Sequence, residues 1–410
     1  MTRLTRVVPA TRAQVPLPDV DKTTWLGSLT LPNPLMTASG CAGYGRELDP
    51  FLDLTALGAV VTKSIMMRPR AGRATPRMAE TPSGMLNSIG LQGSGIDAFL
   101  ERDLSWLEKR GARAVVSIAG NDVEDFARLA QRLRHSSAVK ALEVNISCPN
   151  VANRGLVFAC DPTASAEVIG SVRSNSAPGV PIIAKLSPDV TDLVEIAAAC
   201  VEAGADALCL INTLLGMVID TDTMRPHLAG VTGGLSGPAI RPIAVRAVWQ
   251  VHAAMPDVPI VGVGGVRTGL DALELVLAGA SAVQVGTVVF NDPAAPLRVL
   301  HELQRALADR GFDRFADAVG HAHRPAPTRP SAGPAGSAGP SSEPTAPRAA
   351  DDESVPDEAT PDSSHDRIGS HHGSHPGGED SDIRLPDAGD GSGPVAKRDA
   401  DEAEATSGSV

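Results

Sequence analysis

From residue 26 to residue 322 the chain alternates short apolar runs with windows of helical periodicity. Residues 26–31 read as a small hairpin leading in. Eight buried strands are predicted after it, at 34–38, 59–63, 114–118, 141–145, 181–185, 207–211, 259–263 and 282–285. Each is a short, nearly continuous apolar run, as a parallel strand covered on both faces requires. Helical windows follow most of them, for example at 123–133, 164–173, 191–203, 240–254 and 270–278. Asp161 and Thr163 stand where an N-cap belongs, and Gly204 stands where a helix must end. Eight βα units in succession predict an α/β fold, a closed (β/α)8 TIM barrel, over an open doubly wound sheet.

Such a barrel takes about 250 residues, and the chain has 410. The difference lies mostly at the C-terminal end. From His323 onward the sequence is dominated by Pro, Gly, Ser, Ala, Asp and Glu, without an aromatic residue or a cysteine. Residues 324–410 carry 17 acidic and 7 basic side chains, a net charge of −10 against −12 for the whole chain. The acidity therefore belongs to this tail and says little about a site in the barrel. A segment so poor in apolar residues cannot offset its ordering entropy, so 323–410 is expected to be disordered. The domain reading is an N-terminal extension at 1–23, the barrel at 24–322 and the tail. His371, His372 and His375 in the tail are weak metal-ligand candidates; a solvated linker is the better reading, and no metal site is assigned.

The five cysteines, at 41, 148, 160, 200 and 209, form no CxxC pair. That argues against a zinc site or an iron–sulfur cluster held by this chain alone. Arg3, Arg6 and Arg12 precede no apolar run of the signal-peptide kind, and no stretch approaches the ~18 apolar residues of a membrane span. The expectation is a cytoplasmic protein with neither nucleic acid nor membrane as partner.

Polar and glycine residues gather at the C-terminal strand ends. Ser39 and Gly40 follow the first strand, Lys63 and Ser64 end the second, and Ser117 lies at the end of the third. Asn145 ends the fourth and Lys185 the fifth, while Asn212 and Thr213 follow the sixth. Gly264 and Gly265 follow the seventh, and Gly286 and Thr287 the eighth. In a barrel these ends share one rim. The last two pairs match the usual phosphate position of the fold, where glycine lets backbone N–H groups approach phosphate oxygens. Their spacing is not the G-x-G-x-x-G of a dinucleotide fold. Lys63 and Lys185, at strand ends, need partners, and a phosphorylated flavin with an anionic substrate would supply them; an acidic side chain is the alternative for Lys185. Just past the fourth strand, Cys148 stands among Ser147, Pro149 and Asn150, a thiol between carboxamides. That pattern suits proton abstraction from a polar, planar ligand, although a free cysteine can also be a plain buried hydrophobe.

With these residues in view, 24–322 resembles the dihydroorotate dehydrogenases, specifically the soluble class 1 enzymes. The resemblance rests on 37–47 (TASGCAGYGRE), 75–92 (TPRMAETPSGMLNSIGLQ), 143–151 (EVNISCPNV), 185–192 (KLSPDVTD), 211–216 (INTLLG) and 232–242 (TGGLSGPAIRP). Cysteine rather than serine at 148 marks class 1, and 39–47 with 79–92 look most like its NAD-linked class 1B branch. The resemblance implies oxidation of dihydroorotate to orotate in pyrimidine (UMP) synthesis, with FMN as the flavoprotein's one cofactor. It implies a partner subunit bearing FAD and a [2Fe–2S] cluster, in a heterotetramer built around a barrel homodimer. Carried over by position, Ser39, Lys63, Ser64, Ser117, Asn145, Lys185, Ile211, Gly237, Gly264, Gly265, Gly286 and Thr287 would surround FMN. Lys63, Asn87, Ser88, Ile89, Gly90, Leu91, Asn145, Asn150, Asn212 and Thr213 would hold the pyrimidine. Ser117 departs from the family's usual Asn and would reach the flavin only through water.

The same resemblance assigns Cys148 the C5 proton, with hydride passing from C6 to the flavin. A thiol with an ordinary pKa near 8.5 would make the rate rise with pH. The loop between Ser147 and Cys160 is long enough to act as a lid. Three other readings stay open: a fumarate-linked homodimer of the same family, a flavin-free lyase or isomerase using Lys185 as a Schiff-base nucleophile, and an inactive barrel that presents the tail.

Overall fold

The computed structural model describes residues 16–147 and 160–325. The predicted extension before residue 16, the segment 148–159 with Cys148 and Asn150, and the tail beyond 325 lie outside the described residues. Eight parallel strands build the barrel. They are β1 (Leu35–Thr37), β2 (Val60–Val61), β3 (Ala114–Ile118), β4 (Val139–Asn145), β5 (Ile182–Lys185), β6 (Ala207–Leu210), β7 (Ile260–Val263) and β8 (Ala282–Val285). Their hydrogen-bonded order is β1-β8-β7-β6-β5-β4-β3-β2. A parallel bridge from Met36 to Ala59 joins the two ends, with Thr37 N–H donating to Ala59 O at 3.4 Å. The fold is the (β/α)8 barrel that the apolar runs predict. β2 is shorter than expected because the Lys63 N–H leaves the ladder for Gly43 O at 2.8 Å.

The helices follow from local rules. Val123–Leu133 has its predicted bounds and buries Phe126, Leu129, Ala130 and Leu133. Each such large side chain contributes roughly 1.5–3 kcal/mol. Asp122 caps it by accepting from Asp125 N–H at 2.8 Å. Asp161 caps Pro162–Asn175 in the same way, accepting from Ala164 N–H at 2.7 Å. Gly204, at φ +106°, ends the helix Leu193–Glu202 in a conformation that side chains disfavour. At the other end of the chain, Val20 is buried, and Asp21 bonds to Asp313 and Phe315 through its backbone.

An antiparallel sheet at the rim was not foreseen. Met78–Thr81, Gly84–Asn87, Gly233–Ser236 and Leu214–Gly216 form a four-stranded antiparallel sheet. Its strands come from the connections after β2 and β6, so it stands on the side of the barrel where strands end. It carries Asn87 to the rim.

Candidate active site

The barrel brings six of the predicted rim residues, together with Ser147, into one hydrogen-bonded chain. Ser64 Oγ lies 3.2 Å from Ser39 Oγ and 2.9 Å from Ser117 Oγ. Asn145 Nδ2 donates to Ser64 Oγ at 3.1 Å, and Asn145 Oδ1 accepts from Asn212 Nδ2 at 3.1 Å. Asn212 Nδ2 also donates to Ser147 Oγ at 2.6 Å, and Ser147 Oγ donates to Asn145 Oδ1 at 3.2 Å. Thr213 N–H donates to Asn212 Oδ1 at 2.8 Å. Residues from the ends of five strands are thus tied side to side. Asn145, Asn212 and Thr213 remain half-exposed, able to offer both donors and acceptors to a ligand. Ser117 is fully buried, its hydroxyl engaged with Ser64.

Asn87 joins this group through the antiparallel sheet. Its Nδ2 donates to Gly234 O at 3.3 Å, and a Cβ on Gly234 would collide with Thr213 Oγ1. The rest of 87–91 is held from behind by two arginines that the sequence reading did not single out. Arg73 N–H donates to Ile89 O at 3.0 Å, and Ser88 N–H donates to Arg77 O at 2.7 Å. Arg77 Nε in turn donates to Arg73 O at 2.5 Å. Gly90 and Leu91 both adopt positive φ, +76° and +54°. A side chain at Gly90 would meet the Arg73 backbone at 2.8 Å. Ser88 is buried, with its hydroxyl 3.4 Å from Arg73 Nη1, so its side chain serves the loop.

The glycine pairs fit a phosphate. Among the described residues, the N–H groups of Gly264, Gly265, Gly286 and Thr287 find no acceptor in the backbone network. Gly264 and Gly265 have φ of +140° and +71°, and a Cβ at Gly265 would lie 2.9 Å from Gly237 O. Backbone segments therefore approach one another closely here, as an anion held by N–H groups demands. Thr287 Oγ1 donates to Ser236 Oγ at 2.8 Å. Ile211 is buried and extends the β6 end, where its N–H donates to Val263 O at 2.9 Å.

The two lysines differ. Lys63 is half-buried, and no acid lies within ion-pair distance of it among the described residues. Burial pulls its pKa down, with Glu47 opposing. It lines a cleft of about 440 Å³ together with Tyr44, Glu47, Arg70, Gln92 and Arg102. Lys185 is buried, and its Nζ donates to Gln284 Oε1 at 3.1 Å. Sequence reasoning missed Gln284 as its partner; a lone amide in an otherwise apolar β8 was the available signal. Burial also pushes the thiols up, Cys41 to about 11 and Cys200 to about 12. None of the four described cysteines is therefore held as a thiolate near neutral pH.

The described site ends at Ser147, one residue before Cys148. A family model for dihydroorotate dehydrogenase matches residues 22–307. The dihydroorotate dehydrogenase B (NAD(+)) catalytic subunit of Geobacter sulfurreducens is 52% identical over 295 residues, covering 72% of this chain and 96% of that protein. The subunits of the same name from Geobacter sp. strain M21 and Pelobacter propionicus are 50% and 51% identical over 300 residues, each covering 73% of this chain and 97% and 98% of their own lengths. By this match over most of its barrel and by these identities, the chain belongs to the dihydroorotate dehydrogenase family.

Proposed function

We propose that this chain is the FMN-bearing catalytic subunit of an NAD-linked dihydroorotate dehydrogenase, which oxidises dihydroorotate to orotate in pyrimidine synthesis. The observation that carries the reading is the hydrogen-bonded chain Ser64–Asn145–Asn212–Ser147, ending one residue before a cysteine. The carboxamides of Asn145 and Asn212, with Asn87 and Thr213 beside them, offer donors and acceptors to the ring amides and carboxylate of the pyrimidine. Lys63, without an acidic partner among the described residues, supplies positive charge to an anionic substrate. The backbone N–H groups of Gly264, Gly265, Gly286 and Thr287 hold the cofactor phosphate. Bound FMN supplies the two-electron acceptor for the hydride that leaves C6.

Cys148 takes the C5 proton, and Asn150 adds to the pyrimidine clamp; both lie outside the described residues. Ser147 supports the assignment, because two hydrogen bonds hold its side chain among the asparagines, one residue before the thiol in sequence. No other described cysteine competes for the role, since burial or neighbouring charge raises the pKa of each. Electrons continue to NAD through a partner subunit with FAD and a [2Fe–2S] cluster. The chain works in the cytoplasm in this reading; among the described residues no helix is long and apolar enough to cross a membrane.

The test is Cys148→Ala. It leaves the FMN contacts and the asparagines in place, so FMN and orotate should still bind. Flavin bleaching by dihydroorotate in single-turnover stopped flow should slow by about a hundredfold or more, the usual contribution of a general base. Bleaching at the wild-type rate would put the base elsewhere.

A further inference from the structure

Below the rim, the barrel axis is filled by apolar side chains such as Met36, Val61, Val115, Ile183 and Val261. One polar chain interrupts this filling. Glu143 of β4, Lys185 of β5 and Gln284 of β8 are at most 5% exposed. Lys185 Nζ donates to Gln284 Oε1 at 3.1 Å, and Gln284 Nε2 donates to Glu143 Oε2 at 2.6 Å. The amide is thus used at both ends, its acceptor on a cation and its donor on a carboxylate. Glu143 Oε1 has no hydrogen-bond partner among the described residues, and the Cys209 thiol lies beside both Glu143 and Lys185.

The register explains the layering. Asn145 pairs with Lys185 across β4 and β5, at the level of the rim. Glu143 precedes Asn145 by two residues, so its side chain leaves the same face one layer deeper. The cation sits under the ligand mouth and the carboxylate sits beneath it. A buried ammonium without a counter-charge is expensive and sheds its proton. The titratable groups facing Lys185 are Glu143 from β4, Cys209 from β6 and Cys41 from the segment after β1. Burial raises both thiols, Cys41 to about 11, so neither supplies negative charge near neutral pH. Only Glu143 can.

We propose that Glu143, by its charge and through the Gln284 bridge, is a positioning residue that keeps Lys185 charged and directed toward the cofactor site, and so governs how tightly the flavin is held. The proposal rests on the FMN reading above. With Glu143 in place Lys185 stays an ammonium across the working pH range. Without that charge it becomes an amine as pH rises, and a charge-assisted hydrogen-bond donor at the cofactor is lost.

The experiment measures FMN affinity of the apoprotein by flavin fluorescence, and the midpoint potential of the holoprotein, from pH 6 to 9. Glu143→Gln keeps the shape and can still accept from Gln284, removing only charge. It should show a new ionisation in this range, with FMN affinity about tenfold or more weaker at pH 9 than at pH 6. The midpoint potential should fall below that of the wild type over the same interval. Lys185→Met should bind weakly at every pH and abolish the ionisation, alone or combined with Glu143→Gln. A wild-type pH profile in Glu143→Gln overturns the proposal. An equal loss of affinity at every pH also overturns it, because that marks a packing role. Should Glu143→Gln fail to fold, the double variant Glu143→Leu with Gln284→Leu carries the test, since it removes the same charge together with the amide that would otherwise be left unpaired; the same ionisation is expected. A wild-type chain that binds no FMN refutes the cofactor reading instead, and 15N-lysine NMR of the apoprotein then reads the Lys185 ionisation directly in the same variants.

Discussion

Replacing Asn212 by aspartate is the most discriminating single change at the rim. The two side chains are nearly isosteric, and the substituted carboxylate could still accept from Thr213 N–H, which now donates to Asn212 Oδ1 at 2.8 Å. Only the amide donor is lost. That donor makes two hydrogen bonds, to Asn145 Oδ1 at 3.1 Å and to Ser147 Oγ at 2.6 Å. At about 0.5–1.5 kcal/mol net for each bond, the direct loss is roughly 1–3 kcal/mol. The new carboxylate also faces the carbonyl of Asn145. Turning the Asn145 amide would relieve that contact, but its Nδ2 would then leave Ser64, where it donates at 3.1 Å. Either arrangement spoils the clamp.

Because Asn212 is half-exposed, the damage should appear in ligand binding more than in folding. A loss of roughly 1–3 kcal/mol corresponds to about 5- to 150-fold in affinity, and repulsion between the introduced carboxylate and that of orotate acts in the same direction. Orotate titration of Asn212→Asp, followed through the flavin absorbance change, should therefore show weakening of about tenfold or more, with FMN content and melting temperature close to wild type. Unchanged orotate affinity would refute the clamp as built here, and loss of FMN without loss of orotate affinity would reassign Asn212 to the cofactor.

Gly286→Asp should yield protein largely free of FMN, because the carboxylate opposes the phosphate, while its Cβ, at 3.1 Å from Ala38 and 3.4 Å from Cys41, asks these neighbours to shift by a few tenths of an ångström; flavin absorbance of the purified variant checks it. The isolated chain should pass electrons from dihydroorotate to artificial dyes but reduce NAD poorly, and efficient reduction of fumarate would instead favour the homodimeric branch. His252 has its pKa lowered by burial and by His323, so the unfolded chain binds its proton more readily than the folded one. Stability from this group is present above the unfolded pKa near 6.5 and lost as pH falls through the lower folded value. His252→Phe should therefore flatten that part of the acid limb in denaturant unfolding, and an unchanged limb would show that the group contributes nothing there.

The eight barrel strands were legible because each is buried on both faces, which leaves a run of apolar residues that needs no knowledge of its neighbours. Rim residues were legible for the same reason: once the strands are placed, their polar ends must share one mouth. The antiparallel sheet over that mouth was not. Its strands are short and rich in glycine, and Gly84–Asn87 pairs with Gly233–Ser236 from a connection more than a hundred residues away. No periodicity within either segment contains that pairing, although Asn87 depends on it for its place. The buried polar chain was half legible. An acid was a foreseeable partner for Lys185, and Glu143 stands within an otherwise apolar strand. What the sequence could not supply was the bridge: Gln284 lies on β8, 99 residues from Lys185 and 141 from Glu143. A single polar residue inside a strand announces that a partner exists, and only closure of the barrel says which one. The residues hardest to read from sequence are therefore those whose chemistry is made across the barrel axis, and in this chain they lie directly beneath the asparagines that the sequence showed best.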